Sequence, residues 1–555
     1  MGSSPREYST AERTLLARHF SKVDAAPHAD VFLVRNLPPE VAATLNGVYS
    51  RSPLSMRDNF LERLKKGLEL AGKDLESVVA QNPVTATDLL SELMADRSGQ
   101  FLKTYAIDHG HNSLREGSIV HLAVERVSQL VTRFIQRERR CSFEESSTRY
   151  ISFAAEDHWR DPEVVAAGGE VLAAYDEILR ITFGLYRELS EGLLEHVKRL
   201  RPLQPGEKEA PWLRTLKAEA FDAARYLLTP AIQTKWGMVV DARTLSDVVT
   251  ELLSHPLAEF RMVGERMRDE ARVELPTLLA HARANEFLRS QYDTLPAMAS
   301  SLGARNAAVP AGEPHTDLVA WDRRLDIRLL ASLVYEFDHR PLAEIEAVVE
   351  ALPTDQRAAL LDRYLAQRGP RDVMPFGFEG AAPFEFETLV DFGAYRDIGR
   401  HRKGMQQQQL LTTAHGYAMP PLIEQAGVAA RYREVLDRVA VLWPRIAARF
   451  PQAAGYVVPF AFLQRVRLVF DARQVGYFVE LRSGPEGHFS YRKVALDMQA
   501  HIERVAPLFA RYIRAQKGEA FLGRMQAEQT ADDRRLERMR RAGDAPPGTA
   551  LGTHG

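Results

Sequence analysis

Apolar and polar positions alternate at two periods along this chain, and the change of period marks its elements. Ile119–Glu125 leads into Val127, Leu130, Val131, Phe134 and Ile135, spaced i, i+3, i+4, i+7 and i+8, which predicts an amphipathic helix. The basic cluster Arg137-Glu138-Arg139-Arg140 closes that helix. The order recurs later, where Phe384–Phe392 alternates like a half-buried strand and Arg400-His401-Arg402-Lys403 follows after about two helical turns. Cations at a helix C-terminus satisfy its terminal carbonyls and complement its dipole, and that is the plain structural explanation of both clusters.

Further landmarks recur as well. Asp241-Ala242-Arg243 has a proline 11 residues upstream, Pro230, and Asp471-Ala472-Arg473 has one 12 upstream, Pro459. The interval from Arg137 to Arg243 is 106 residues and that from Arg400 to Arg473 is 73. The difference of 33 fits an insertion between Asp157 and Pro211, where helical patterning is interrupted by Pro202, Pro205 and Gly206. Two tandem homologous repeats of unequal length are therefore expected. The first spans residues 1–295, a small-residue linker 296–317, and the second 318–520. Residues 521–555 read as a charged terminal helix, from about Arg524 to Arg541, followed by a disordered tail.

Composition narrows the class. With 72 Lys+Arg against 74 Asp+Glu, the 555 residues carry a net charge of -2, no footprint for nucleic acid or an anionic membrane. No apolar run approaches the ~18–20 residues that span a bilayer, and the start has no secretory h-region. The single cysteine, Cys141, rules out an internal disulfide framework, and a soluble cytoplasmic protein is the default. His109 and His111 have no third ligand at useful spacing, so no metal site is expected. Absence of a GxGxxG or P-loop motif argues against Rossmann-type dinucleotide binding. Trp212, Trp236, Phe392 and Tyr395 sit at core-like spacings, and Gln406–Gln409 reads as polar surface in a loop after the helix.

The segment from Arg137 to Tyr150 carries the chemistry. Arginine forks with a serine hydroxyl and backbone N–H groups in one loop are the parts that hold a phosphate dianion. Glu144 or Glu145 could hydrogen-bond a sugar hydroxyl or orient an arginine.

These residues resemble the flavin-dependent thymidylate synthases, whose signature is Arg-His-Arg, seven residues, Ser, one residue, Arg; here it reads Arg137-Glu138-Arg139, residues 140–146, Ser147-Thr148-Arg149. His109-Gly-His111-Asn112-Ser113-Leu-Arg-Glu116 is similar to the family's Gly-His-x-Ser/Thr-x-x-Glu. Ala224-Arg225 through Pro230, and Asp241-Ala-Arg243-Thr-Leu245, resemble its Ala-Arg-x-x-Leu-Pro and Asn-Ala-Arg-Ser-Leu segments. In the second repeat Val457-Val458-Pro459, Asp471-Ala-Arg473 and Leu481-Arg482 match the same region.

The resemblance implies an α+β fold, with each repeat a small sheet flanked by helices and a helical insertion in the first. It implies FAD as cofactor, deoxyuridylate as small-molecule substrate, and methylenetetrahydrofolate and NADPH as co-substrates. A homotetrameric family implies, for a duplicated chain, a homodimer forming a pseudo-tetramer. Carried over residue by residue, the substrate set is Arg137, Glu145, Ser147, Arg149, Arg225 and Arg482, with Arg482 and Arg137 the catalytic candidates. The cofactor set is Ser113, Glu116, Arg139, Asp241 and Arg243 from the first repeat, with Arg400, His401, Arg402 and Arg473 from the second.

Departures from the family pattern are complementary. In the first repeat Glu138 replaces the signature His, Asp241 replaces Asn, and no arginine occupies the neighbourhood of Leu252. The second keeps Arg400-His401-Arg402 and Arg482 but has Leu410, Thr412 and Gly455 where Ser147, Arg149 and Arg225 stand in the first. A composite site is one expectation, with Ser147, Arg149 and Arg225 gripping a nucleotide phosphate, Arg400, His401 and Arg402 serving the flavin and Arg482 the base. A duplicated scaffold decaying in both halves is the other. The corresponding functions are a flavin-dependent uracil-nucleotide methylase, or a related flavin enzyme, and a non-catalytic nucleotide-binding or assembly protein.

Overall fold

The computed structural model describes residues 7–21, 23, 31–50, 52–81, 98–148, 153, 158–205, 207, 209–303, 312–369, 372–381, 383–518, 534 and 537–538. Two compact units emerge, and they cut across the sequence repeats. One comprises Met1–Glu125, Arg140–Glu145 and Lys235–Asn306; the other comprises Arg126–Arg139, Ser146–Thr234 and Ala307–Gly555.

The first compact unit opens with helices Thr10–His19, Pro39–Tyr49, Met56–Leu70 and Leu75–Gln81. Ser9 and Glu12 form a reciprocal capping box at the first of these. The apolar faces close over Leu16, Phe20, Leu45, Phe60, Leu61 and Leu64. Glu40 accepts the backbone N–H groups of Thr277 and Leu278 at 2.8 and 2.9 Å, tying this bundle to the far end of the unit. Its sheet contains β1 (Ile119–Ser128), β2 (Ser142–Glu145) and β3 (Gln233–Asp241) in the order β1-β3-β2. Strand β3 alternates buried and exposed residues along most of its length, and helix Ala242–Ser254 follows it.

The second compact unit holds β4 (His315–Ala320), β5 (Phe384–Asp391), β6 (Met405–Gln408) and β7 (Leu463–Phe470), antiparallel in the order β4-β5-β7-β6. Phe384 and Phe386 point into the core, where the Phe384 ring lies 6.0 Å from that of Phe509. Their neighbours Glu385 and Glu387 face outward and pair with Arg467 and Arg465 at 2.5 and 2.8 Å. The alternation expected of this strand thus separates an aromatic face from an ionic one.

The duplication is visible in the register. Met405–Gln408 lies 263 positions after Ser142–Glu145, and Leu463 lies 230 after Gln233, so the repeats differ by 33 residues between these strands. Ser142 pairs with Val239, and their equivalents Met405 and Val469 pair in the same register. The extra length is helical. Helices Gly169–Leu200 and Glu209–Ala224 separate β2 from β3, and the break between them holds Pro202 and Pro205, whereas Ala429–Ala447 is the principal helix between β6 and β7.

Equivalent segments of the two repeats also meet inside the second compact unit. The Ala231 N–H donates to the Tyr456 carbonyl at 2.8 Å, and Ala461, 230 positions on, donates to Tyr226 at 3.0 Å. Phe460 adds a bond to the Leu228 carbonyl at 2.8 Å, which Pro230, lacking an N–H, cannot reciprocate. Arg133 donates to the carbonyl of Arg396, its own equivalent, at 3.1 Å. Such reciprocal pairing is the signature of a two-fold axis, here joining unequal copies.

Four local expectations change. Val127 belongs to β1 and not to the helix, because the Ser128 hydroxyl accepts the Val131 N–H and caps the helix that starts at Gln129. Gln406–Gln408 form most of the edge strand β6, held by ladder bonds to β7, so only Gln409 of that run is loop. Ser142–Glu145, expected in a phosphate loop, is strand β2. The compositional linker 296–317 begins inside helix Glu286–Ser301 and ends in β4. Most of the charged C-terminal segment and the whole tail lie outside the described residues. Trp236, Phe392 and Tyr395 are buried, and half-buried Trp212 donates its indole N–H to the Arg201 carbonyl at 3.1 Å. Among the described residues, no helix is long and apolar enough to cross a membrane.

Candidate functional site: an arginine cluster where the repeats meet

The cluster starts from a buried guanidinium. Arg225 opens the short 3-10 turn Arg225–Leu227 directly after helix Glu209–Ala224, and that turn holds it inside the fold at 3% exposure. Its Nε lies 3.4 Å from Asp222 Oδ1 and its Nη2 3.8 Å from Asp397 Oδ2. Neither Nε nor Nη2 has a hydrogen-bond partner among the described residues. Buried N–H donors left unbonded cost about 1–3 kcal/mol each; Asp222 and Asp397 balance the charge of Arg225 at ion-pair distance and leave these two N–H groups as the donors open to a further acceptor.

Asp397 comes from the second repeat, on helix Phe392–Ile398. Buried Asp391 caps this helix, accepting the Ala394 N–H at 2.7 Å and the Ser490 hydroxyl, while burial pushes its carboxyl pKa up. Asp397 is a hub. Besides Arg225 it faces Arg400 Nε at 4.0 Å, and its carbonyl accepts Arg482 Nη2 at 2.8 Å. One residue earlier, Arg396 donates through Nη1 to Thr148 Oγ1 at 2.9 Å, which brings Ser147 of the first repeat to the same helix. Arg149 lies outside the described residues.

His401 is not presented to a ligand. It is 5% exposed, its Nε2 accepts from Arg482 Nε at 2.8 Å, and Gln474 Nε2 lies 3.4 Å from Nδ1. Burial first, and the Arg482 cation second, hold its pKa down to about 3 against the pull of Asp397. Arg482, expected at a nucleobase, is thus committed to His401 and the Asp397 backbone, with its guanidinium 5.0 Å from the Tyr491 ring centroid. Arg400 is exposed and Arg402 half-buried. Arg137 stacks over the Phe134 ring at 3.9 Å, and Arg139 is exposed.

The two Asp-Ala-Arg segments turn out to be built alike. Asp241 caps helix Ala242–Ser254 by accepting the Thr244 N–H at 2.8 Å, and Asp471 caps Ala472–Arg482 by accepting that of Gln474 at 2.7 Å. Arg243 pairs with Glu116 at 2.5 Å, and Arg473 pairs with Glu379 at 2.5 Å, Glu379 lying 263 positions after Glu116. Lys403 shares Glu379 at 3.0 Å. Glu379 was missed from the sequence because its turn, Phe376–Gly380, lacks the histidine context of the first repeat; the repeat offset alone could have found it. Ser113, exposed on Asn112–Glu116, and Glu145 in β2, opposite Trp236, belong with Glu116, Asp241 and Arg243 to the first compact unit. The remaining candidates that are described lie in the second.

Comparison with known proteins agrees with this division into repeats. The family model described as thymidylate synthase complementing protein matches residues 74–277 and again 330–508, more than half of the chain. A UPF0159 protein of Chlamydia muridarum is 27% identical over 544 residues, covering 95% of this chain and 99% of that one. A UPF0159 protein of Thermoplasma acidophilum is 24% identical over 470 residues, covering 78% and 92%. A flavin-dependent thymidylate synthase of Nitratidesulfovibrio vulgaris is 26% identical over 197 residues, covering 35% of this chain and 73% of its own. The chain belongs to the thymidylate synthase complementing protein family, and it carries that family's module twice.

Proposed function

We propose that this protein is a flavin-dependent enzyme that methylates the uracil ring of deoxyuridylate, or carries out a closely related flavin reaction on a pyrimidine nucleotide. The observation that carries the reading is Arg225, a buried cation with two unbonded donor atoms in a cluster to which both repeats contribute. The relative from Nitratidesulfovibrio vulgaris, by name a flavin-dependent thymidylate synthase, supports the chemistry.

In this reading Arg225, Ser147 and Arg149 hold the nucleotide phosphate, and Arg482, fixed by His401 and Asp397, orients the base. The donor set fits an anionic dinucleotide such as FAD, because Arg400, Arg402, Lys403 and Arg473 supply four cations around the helix end, two of them sharing Glu379. Bound in reduced form, FAD supplies the hydride, methylenetetrahydrofolate the one-carbon unit, and NADPH the electrons that restore the flavin. Two chains would assemble as a pseudo-tetramer.

A second reading, a nucleotide-binding protein without catalysis, is favoured by one observation: His401 of the Arg-His-Arg triplet is buried and bonded to Arg482. The test is an absorbance spectrum of purified protein loaded with FAD, with and without deoxyuridylate. A retained flavin spectrum that shifts with the nucleotide supports the enzyme. Folded protein that keeps no flavin but binds deoxyuridylate supports the second reading.

A further inference from the structure

The two-fold relation between the repeats predicts a counterpart for the Arg225 cluster, and that counterpart has different chemistry. The position equivalent to Arg225 is Gly455, and a Cβ built there meets Leu130 methyls at 3.8 and 3.9 Å and Leu411 Cβ at 4.0 Å. The space that a side chain would enter is therefore lined by carbon. Leu411, which is buried, stands where Thr148 accepts from Arg396. Phe134 stands where Asp397 does, so Arg137 lies on an aromatic ring at 3.9 Å while its equivalent Arg400 faces a carboxylate at 4.0 Å.

The substitutions segregate by side of the axis. Polar groups that the first repeat brings to the Arg225 cluster, Ser147, Thr148 and Arg225, have become Leu410, Leu411 and Gly455 in the second. Polar groups that the second repeat brings, Asp397 and His401, are Phe134 and Glu138 in the first. Random decay would scatter losses over both positions. Here one position keeps the groups that bind charge, whereas at the other Leu411 is buried carbon, Gly455 has no side chain and Leu410 lies exposed, so these three positions offer an anion no side-chain donor.

We propose that the chain has one nucleotide site, the Arg225–Asp397 cluster, and that its counterpart at Gly455, Leu130 and Leu411 is a closed packing contact that takes no nucleotide. This rests on the nucleotide reading given above. Each chain then binds one nucleotide, although it contains two family modules.

The experiment is isothermal titration of the full FAD-loaded chain with deoxyuridylate. The expected stoichiometry is one per chain. Arg225→Met abolishes it, and Ser147→Ala, at a half-buried side chain assigned to the phosphate, weakens binding about tenfold, the loss of one charge-assisted bond. Gly455→Ala leaves stoichiometry and affinity unchanged. Two nucleotides per chain, or one whose affinity responds to Gly455→Ala and not to Ser147→Ala, would overturn the single-site assignment while sparing the nucleotide reading. No binding of deoxyuridylate to folded protein overturns the nucleotide reading itself, and the assignment with it.

Discussion

His401 gives the sharpest quantitative test of the site's electrostatics. Its ring faces Arg482, Gln474, Tyr477 and Phe478 on helix Ala472–Arg482 and Asp397 on the preceding helix, while the Gln406 amide donates to its main-chain carbonyl. A proton on Nε2 would remove the acceptor for Arg482 and set two cations together in the interior. The folded pKa is accordingly about 3, against an ordinary 6.5. Between those values only the unfolded chain takes up the proton, so stability is fully present above about pH 6.5 and falls as the pH drops towards 3. Linkage with these two values gives a loss of about 1.4 kcal/mol between pH 7.5 and 5.5, and roughly as much again by pH 4.5. The assay is urea unfolding of the wild type and of His401→Gln, whose amide oxygen still accepts from Arg482 but does not titrate. His19 and His415 are also held down by burial and contribute equally to both proteins, so the difference curve isolates His401. The variant should gain on the wild type by about 1.4 kcal/mol between pH 7.5 and 5.5. An unchanged difference between those two pH values refutes the buried neutral imidazole.

Other expectations follow from the same geometry. Gly404→Ala, whose Cβ would collide with the Phe470 ring and sit 2.8 Å from the Val469 carbonyl oxygen, should cost about 1–3 kcal/mol, read as a lowered thermal midpoint. Asp241→Ala and Asp471→Ala each remove a helix cap and should cost about 1 kcal/mol, with Asp→Asn recovering most of it; equal losses for Asn and Ala would contradict the capping role. A double-mutant cycle on Arg473 and Glu379, both partly exposed, should give a coupling of about 0.5–1 kcal/mol that shrinks with added salt.

The repeat was legible in the sequence because its landmarks are local: a strand period, a basic helix end, and an Asp that caps the next helix. The 33-residue difference between repeats places the helical insertion from spacing alone. Side-chain commitments were not legible. A motif places His401 beside Arg400, but its burial depends on Arg482, 81 positions later, and nothing local encodes that bond. Likewise the sequence offers Arg225 as a phosphate ligand without showing that Asp222 and Asp397 flank it in the fold. Glu379 sits in a turn without helical or strand period, so pattern reading passed over it. The compact units escaped notice for a related reason. Residues 126–139 and 146–234 of the first repeat pack with the second, and periodicity reports which face is apolar without saying which partner covers it.

The contact of Arg133 with Arg396 has a hereditary consequence. When two identical chains meet across a dyad, one codon writes both sides, and any substitution near the axis is made twice. Fusing the copies ends that constraint. The two arginines, though structural equivalents, are separate letters in one gene, and one can change while the other is held. The reciprocal bonds of Ala231 and Ala461 preserve the old symmetry in the backbone, where it is indifferent to side chains. Specialisation then falls to the side chains alone, so divergence between the halves of such a chain should concentrate around its axis without displacing the main chain that defines it.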